Sequence, residues 1–253
     1  NTHLLESFGN SKNEILNDGF KIHDEIYMTL DGYNEVTMSK SMAVFGMSFS
    51  DVLHKSRPDW LILAGDRGET FMASVMAAYM NIPIAHIQAG ELSGNIDGQA
   101  RHAIGKFTHL HFAANKDSEK RLIKLGEERF RVHNVGAPQL DDMFNLKHLN
   151  LSKKKLLEKN FTIFNDNYAL CIFHPVVEEF DSIKKNFKIF HKSLKKSVKK
   201  RVWISPNSDA GSSIIKEEFD KMRDVSDIYF ENLPRFEYLN LLKNCEFIIG
   251  NSS

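Results

Sequence analysis

The chain has 253 residues, of which 33 are basic and 33 are acidic, so its formal net charge at pH 7 is zero. Zero net charge gives no electrostatic reason to expect a nucleic-acid partner, and no apolar run approaches the roughly 20 residues that span a bilayer. The length suits two domains better than one, and 42% hydrophobic residues is normal for a globular protein.

Apolar, strand-like runs alternate with helical patterns along most of the chain. This alternation predicts βαβ units and parallel sheets, an α/β fold. Apolar residues spaced three and four apart predict helices over 96–107 and 183–198, the first capped by Asn95 or Asp97. The predicted strands are 60–64, 82–88, 109–114, 131–135, 168–173, 201–205, 227–231 and 246–250.

A polar, lysine-rich stretch between about 144 and 166 predicts a domain boundary, because a new βα series begins at Tyr168. We therefore predict two Rossmann-like lobes, 1–150 and 151–253, with a cleft between them. The chain begins with Asn1 rather than methionine and stops directly after a predicted strand. We expect it to be a piece of a longer protein, truncated at both ends.

Cys171 and Cys245 are each assigned to a predicted buried strand. Two such cysteines without a Cys-rich spacing indicate a reducing, cytoplasmic location and no disulfide. The lysines between 184 and 201 fill the gaps between apolar helix positions, which predicts a solvated helix face rather than a nucleic-acid surface.

Charged residues follow the first predicted strand at the sheet edge where parallel α/β folds bind ligands. Asp66 and Arg67 come directly after Gly65. A carboxylate here can act as a general base or position a sugar hydroxyl. The alternative is a helix N-cap with a surface ion pair.

The segment after the second strand, 88–94, contains two glycines, which indicate close backbone approach. Gln88, Glu91 and Ser93 would line this loop, whereas His86, inside the strand, is predicted to be a core histidine.

Asp97, Arg101 and His102 open the next helix. Asp97 and Arg101 share one face, and the alternative to a functional role is a simple ion pair between residues four apart.

In the second lobe, His174 follows the first strand, where an imidazole could contact a phosphate or act as an acid. Gly-Asn-Ser-Ser at 250–253 is typical of a phosphate-binding turn. The sequence contains no Walker A, G-x-G-x-x-G or G-x-S-x-G pattern and no metal-ligand cluster. His109 and His111 are predicted to be structural, and we expect neither a cofactor nor a metal.

Seven short motifs occur along the chain. They are Gly-Asp-Arg at 65–67, His-Ile-Gln-Ala-Gly-Glu-Leu-Ser-Gly at 86–94, Ile-Asp at 96–97, Arg-His-Ala at 101–103, His-Leu-His-Phe at 109–112, Phe-His-Pro at 173–175 and Gly-Asn-Ser-Ser at 250–253. Together these motifs resemble the hydrolysing UDP-N-acetylglucosamine 2-epimerases of bacterial sialic-acid synthesis, over essentially the whole chain. An acidic residue followed by Leu-Ser-Gly favours this branch over the non-hydrolysing relatives.

The resemblance implies a GT-B-like fold that holds a UDP-sugar between its lobes, in a homodimer or larger homo-oligomer. It implies loss of UDP with proton removal at C2, then addition of water to the glycal-type intermediate to give N-acetylmannosamine. The implied catalytic residues are Asp66, Glu91, Asp97 and His174. The implied substrate-binding residues are Arg67, Gln88, Ser93, Arg101, His102, Phe236, Ser252 and Ser253.

Three departures from the family pattern bear on this assignment. Gln88 stands where non-hydrolysing relatives carry a glutamate, so we expect Glu91 to take over as the base. Gly98 occupies a position that is often acidic in hydrolysing relatives. The family's first strand and its substrate-binding loop would precede Asn1, so we expect residues 1–253 alone not to release UDP.

Three other functions remain open at this point. The first is the same reaction on a UDP-2,4-diacetamido-2,4,6-trideoxyhexose, as in legionaminic-type sugar synthesis. The second is a glycosyltransferase of the same architecture, although no acceptor site is evident. The third is a UDP-sugar-binding protein or fragment without activity.

Overall fold

A computed structural model describes residues 2–31, 34–144 and 167–251. All eight predicted strands are present, each ending within two residues of its predicted bounds. They are β1 (Leu61–Ala64), β2 (Ile84–Ile87), β3 (Leu110–Ala113), β4 (Val132–Asn134), β5 (Ala169–Ile172), β6 (Arg201–Ile204), β7 (Asp227–Phe230) and β8 (Phe247–Gly250).

The α-helices of the described residues include both helices that were predicted from apolar spacing. They are α1 (Lys12–Asn17), α2 (Glu35–Ser56), α3 (Gly68–Tyr79), α4 (Ile96–Phe107), α5 (Lys116–Lys124), α6 (Asp141–Phe144), α7 (Ile183–Ser197), α8 (Ser212–Met222) and α9 (Arg235–Asn244). None of these helices is both long and apolar enough to cross a membrane.

Contacts divide the chain into two compact units. Of the described residues, the first comprises Asp24–Asp31 and Val36–Asp141, and the second comprises Thr2–His23, 34–35, 142–144 and 167–251. Within the second unit, the Phe8 ring lies 4.4 Å from Nζ of Lys216, and Asn232 donates to Glu14 at 2.9 Å. The predicted lobe boundary falls at 150–151, outside the described residues, and the lobes 1–150 and 151–253 stay a prediction.

The first unit is built on one parallel sheet with the strand order β1-β2-β3-β4. Ala77 of α3, Ile84 of β2 and Ile104 of α4 are fully buried in its core. Helix α4 begins where predicted, because the Asn95 side chain accepts a hydrogen bond from the Asp97 backbone N–H at 3.2 Å.

The second unit is also a parallel sheet, with the order β7-β6-β5-β8. Helix α7 buries Ile183, Phe187 and Leu194 against it, as the apolar spacing predicts. Among the lysines on the other face of α7, Lys184 and Lys188 form ion pairs with Glu218 of α8 at 3.0 and 3.1 Å. These lysines therefore tie two helices together.

The assignment of Cys245 to a strand was wrong. Cys171 is buried in β5, but Cys245 ends helix α9 two residues before β8 begins. Its backbone N–H still donates to the Leu241 carbonyl at 2.9 Å, while its own backbone is already extended. An apolar run alone does not distinguish the last turn of a helix from the strand that follows.

Candidate active site

The loops that follow β1 and β2 lie side by side at the carboxyl edge of the first sheet. Ala64 and Ile87, the last residues of the two strands, are register partners. Gly65 then turns the chain with φ of 76°, a left-handed conformation that glycine adopts without strain. The turn brings Asp66 next to the segment 88–94.

Arg101 connects the two loops. It is buried, with 7% of its side chain exposed, and its guanidinium donates to the Asp66 carboxylate, to the Gln88 carbonyl at 2.7 Å and to the Glu91 carboxylate at 3.3 Å. The Ser93 hydroxyl donates to the same Asp66 oxygen at 3.4 Å. We call Asp66, Gln88, Glu91, Ser93 and Arg101 the Arg101 cluster.

Gln88 enters the cluster through its backbone. Its φ of 61° is unusual for a residue with a side chain, and its carbonyl accepts from Arg101. Gly90, with φ of 80°, follows in the same loop, and its carbonyl accepts from Arg121 at 2.5 Å. Two arginines therefore hold this loop from outside it.

Arg67 and Asp97 both lie at helix N-termini next to the cluster. Arg67 is the N-cap of α3 and forms an ion pair with Glu69 at 3.6 Å. These contacts match the structural alternative to a functional role, a helix N-cap with a surface ion pair. Asp97 accepts from the Asn95 amide at 3.3 Å. Arg101 reaches across the sheet edge to Asp66 rather than along the helix.

His102 is half-buried on α4. Burial and the nearby Arg121 and Arg101 cations lower its pKa below the usual histidine value, so the neutral ring is favoured.

His86 is a core histidine, as predicted. Its side chain is fully buried, and its Nε2 lies 2.6 Å from the Gly65 carbonyl oxygen. Burial lowers its pKa to about 4, although the hydrogen bond to Gly65 acts in the opposite direction. The neutral ring with a proton on Nε2 therefore holds the turn that presents Asp66.

We expect the first unit to lose stability in acid through His86. An unfolded histidine takes up its proton near pH 6.5, but the folded ring does so only near pH 4. The unfolded state thus binds more protons in this window, and the free energy of unfolding falls by up to about 3 kcal/mol as the pH drops through it. Denaturant titrations at several pH values measure this slope. His86→Gln keeps an N–H for Gly65 without the titration and should reduce the slope, while His102 and His111, whose pKa values are also lowered, retain part of it. An unchanged slope would contradict the assignment.

His109 and His111 are structural, as predicted. His109 accepts from the Ile84 backbone N–H at 3.2 Å, and the buried His111 lies 3.3 Å from the Glu127 carboxylate. Burial lowers the pKa of His111 and outweighs the opposing effect of Glu127.

The departure at Gly98 has a steric reason. A Cβ atom at this position of α4 would overlap the Ser93 carbonyl oxygen, so the loop that carries Ser93 packs directly on the helix backbone. Any side chain at 98 has to displace the loop that reaches Asp66.

We expect Gly98→Ala to destabilise the protein by about 1–3 kcal/mol through this overlap, although alanine favours a helix over glycine by about 1 kcal/mol. Urea unfolding measures the change. Gly94→Ala is the matched control, because a Cβ there meets nothing within 4 Å. Equal stability of the two variants would show that the Ser93 loop is not held by its packing on Gly98.

In the second unit, His174 follows β5. Its Nδ1 accepts a hydrogen bond from the Asn207 backbone N–H at 3.0 Å, so the proton of the neutral ring is on Nε2. Its backbone N–H and carbonyl both bond to the Asn251 side chain. Neither asparagine was given a role from the sequence, although Asn251 belongs to the Gly-Asn-Ser-Ser motif at 250–253 and Asn207 lies two residues after a predicted strand.

Phe236 and the two C-terminal serines complete the predicted site residues. Phe236, in the first turn of α9, is 40% exposed, and its carbonyl accepts from Asn240 at 3.1 Å. Ser252 and Ser253 lie outside the described residues. Among the residues that are described, no group of three His, Cys, Asp or Glu side chains could hold a metal ion.

The two parallel α/β units define the class of the protein, a Rossmann-like, GT-B-like fold. The chain superposes on a crystal structure of Neisseria meningitidis UDP-GlcNAc 2-epimerase bound to UDP-GlcNAc with a TM-score of 0.75, at 19% identity, over 96% of this chain and 67% of that one. A family model described as UDP-N-acetylglucosamine 2-epimerase matches residues 1–253. The chain belongs to this family.

Two relatives illustrate the range of the family. Over 253 residues the chain is 35% identical to a Legionella pneumophila UDP-N,N'-diacetylbacillosamine 2-epimerase (hydrolyzing), and over 255 residues it is 31% identical to a UDP-N-acetylglucosamine 2-epimerase of Neisseria meningitidis serogroup B. Both alignments cover 99% of this chain. The chain spans 66% and 65% of the length of these relatives.

Proposed function

We propose that the full-length protein is a hydrolysing 2-epimerase that converts UDP-N-acetylglucosamine and water into N-acetylmannosamine and UDP, for sialic-acid-type sugar synthesis. The observation that carries the proposal is the Arg101 cluster. It gathers two carboxylates, Asp66 and Glu91, around one buried arginine at the ligand-binding edge of a parallel sheet.

The reaction needs proton transfer at C2 twice. In the first step a base removes the C2 proton, the C1–O bond breaks and UDP leaves, which generates a C1=C2 double bond. In the second step water adds its oxygen to C1, and C2 receives a proton on the opposite face. Two carboxylates near one sugar carbon provide the base and the acid for these transfers.

We assign Asp66 as one of the two acid/base groups and Glu91 as the other, because the Gln88 amide cannot accept a proton at neutral pH. Arg101 orients both carboxylates through its separate nitrogen atoms. Ser93 shares Asp66 with Arg101 and fixes its rotamer. Asp97 and His102, on the same helix, remain proposed contributors to the sugar site.

We assign His174 to the departing diphosphate. An imidazole with its proton on Nε2 can donate a hydrogen bond to a phosphate oxygen that gains negative charge as the C1–O bond breaks. Phe236, Ser252 and Ser253 remain proposed UDP contacts of the same unit.

A UDP-2,4-diacetamido-2,4,6-trideoxyhexose is the second candidate substrate. It is favoured by the names of two relatives, the Legionella enzyme and a Campylobacter jejuni GDP/UDP-N,N'-diacetylbacillosamine 2-epimerase (hydrolyzing) that is 33% identical over 258 residues. The two substrates differ at C4 and C6, whereas the Arg101 cluster is assigned to C2. The proposed chemistry is therefore the same for both.

The test is to incubate full-length protein with each UDP-sugar and follow UDP release and the free sugar by NMR. We expect one UDP for each 2-epimerised sugar and a higher kcat/KM for the natural substrate. Binding of both UDP-sugars without release of UDP would instead indicate a non-catalytic binding protein. Transfer of the sugar to an added acceptor would indicate a glycosyltransferase.

We also propose a cytoplasmic location and a homodimer or larger homo-oligomer. The location is supported by the two cysteines, which are both free. Light scattering on the full-length protein measures the oligomeric state, and cell fractionation measures the location.

A further inference from the structure

His174 is held by two asparagines, which follow the strands on either side of β5. On one side, the loop after β6 gives the Asn207 N–H to the Nδ1 atom of the ring at 3.0 Å. On the other side, Asn251 directly follows β8, which pairs with β5 through the register partners Ile172 and Gly250.

The Asn251 side chain forms two hydrogen bonds with the backbone of His174. Its Oδ1 atom accepts from the His174 N–H, and its Nδ2 atom donates to the His174 carbonyl, both at 2.8 Å. A carboxamide is the group that offers one donor and one acceptor side by side. Aspartate would offer only acceptors, and one of them would face the His174 carbonyl oxygen.

Gly250 makes this reach possible. A Cβ atom at Gly250 would overlap the Ile172 carbonyl oxygen, so the end of β8 lies against β5 more closely than a residue with a side chain allows. The close approach places Asn251 alongside His174, although 77 residues separate them in sequence.

We propose that Asn251 is a positioning residue that acts through His174. By fixing the backbone of His174, it keeps Nδ1 on the Asn207 N–H and the proton on Nε2, where the leaving diphosphate can receive the hydrogen bond. This role rests on the proposed function for its catalytic consequence. The tautomer and orientation of His174 can be measured without any substrate.

The substrate-free experiment uses full-length protein labelled with ¹⁵N-histidine. In the parent, the His174 nitrogen shifts should report a neutral ring with its proton on Nε2. In Asn251→Ala and in the equally sized Asn251→Asp, they should shift toward a mixture of tautomers. Asn244→Ala is the matched control, because this asparagine also bonds a backbone carbonyl, that of Asn240 at 2.8 Å, but not His174. Unchanged His174 shifts in both Asn251 variants would overturn the proposal.

The kinetic experiment is a double-mutant cycle on UDP release. We expect Asn251→Ala to lower kcat by about tenfold to 100-fold, with a smaller change in KM, as for a misplaced catalytic group. In a His174→Ala background the same substitution should have almost no further effect. A full additional loss of kcat there would overturn the positioning role. If the parent releases no UDP from either sugar, the proposed function fails, and the tautomer measurement alone decides the role of Asn251.

Discussion

Replacing Asp66 with asparagine is expected to lower the turnover of the full-length protein by at least about 100-fold, since general acid/base groups contribute about 10²–10⁴-fold. The asparagine side chain retains an oxygen that can accept from Arg101 and Ser93, so the loops should keep their arrangement. It cannot take up or return a proton. UDP release at saturating UDP-sugar measures kcat, and calorimetric titration with UDP tests whether the nucleotide still binds.

Asp59→Asn is the matched control for this prediction. Asp59 is an exposed aspartate of the same unit, two residues before β1, and its replacement makes the same change of charge. We expect parent-like turnover for the control and unchanged UDP affinity for both variants. Near-normal turnover of Asp66→Asn would show that the carboxylate at this sheet edge does not transfer the C2 proton.

His174→Ala should slow cleavage of the sugar–UDP bond by about 100-fold, the loss seen when one donor to a developing oxyanion is removed. The reason is that charge accumulates on the diphosphate as the bond breaks, so the Nε2 donor contributes more in the transition state than in the bound substrate. We therefore expect kcat to fall far more than KM rises. Steady-state kinetics on both UDP-sugars separates the two effects.

Two further substitutions locate the effect on one ring nitrogen. Glutamine places its amide nitrogen near the Nε2 position, whereas asparagine reaches only the Nδ1 position, next to the Asn207 N–H. His174→Gln should therefore recover part of kcat, and His174→Asn should resemble His174→Ala. A pure increase of KM in all three variants would mean that His174 only holds the substrate.

The sequence by itself determined the architecture of the two sheets. Most of the strands are short apolar runs bounded by polar or turn residues, and parallel strands between helices have few alternative arrangements. The helix over 96–107 and its Asn95 cap could also be predicted from the sequence, because capping is a contact between residues that are close in the chain. Asp66 and His174 were proposed as site residues on similarly local grounds, because each follows the end of a predicted strand.

Only the tertiary structure decided which of these groups meet. An ion pair with Asp97, four residues away along the helix, was the alternative considered for Arg101. In the structure Arg101 donates to Asp66, 35 residues away. Gln88 offers its backbone carbonyl to Arg101 because its backbone is left-handed, a conformation that cannot be predicted from a glutamine in the sequence. Asn251 contacts His174 because Gly250 lets two strands approach closely. Such contacts depend on the register of strands and on the space between loops, and no local pattern of residues encodes either of them.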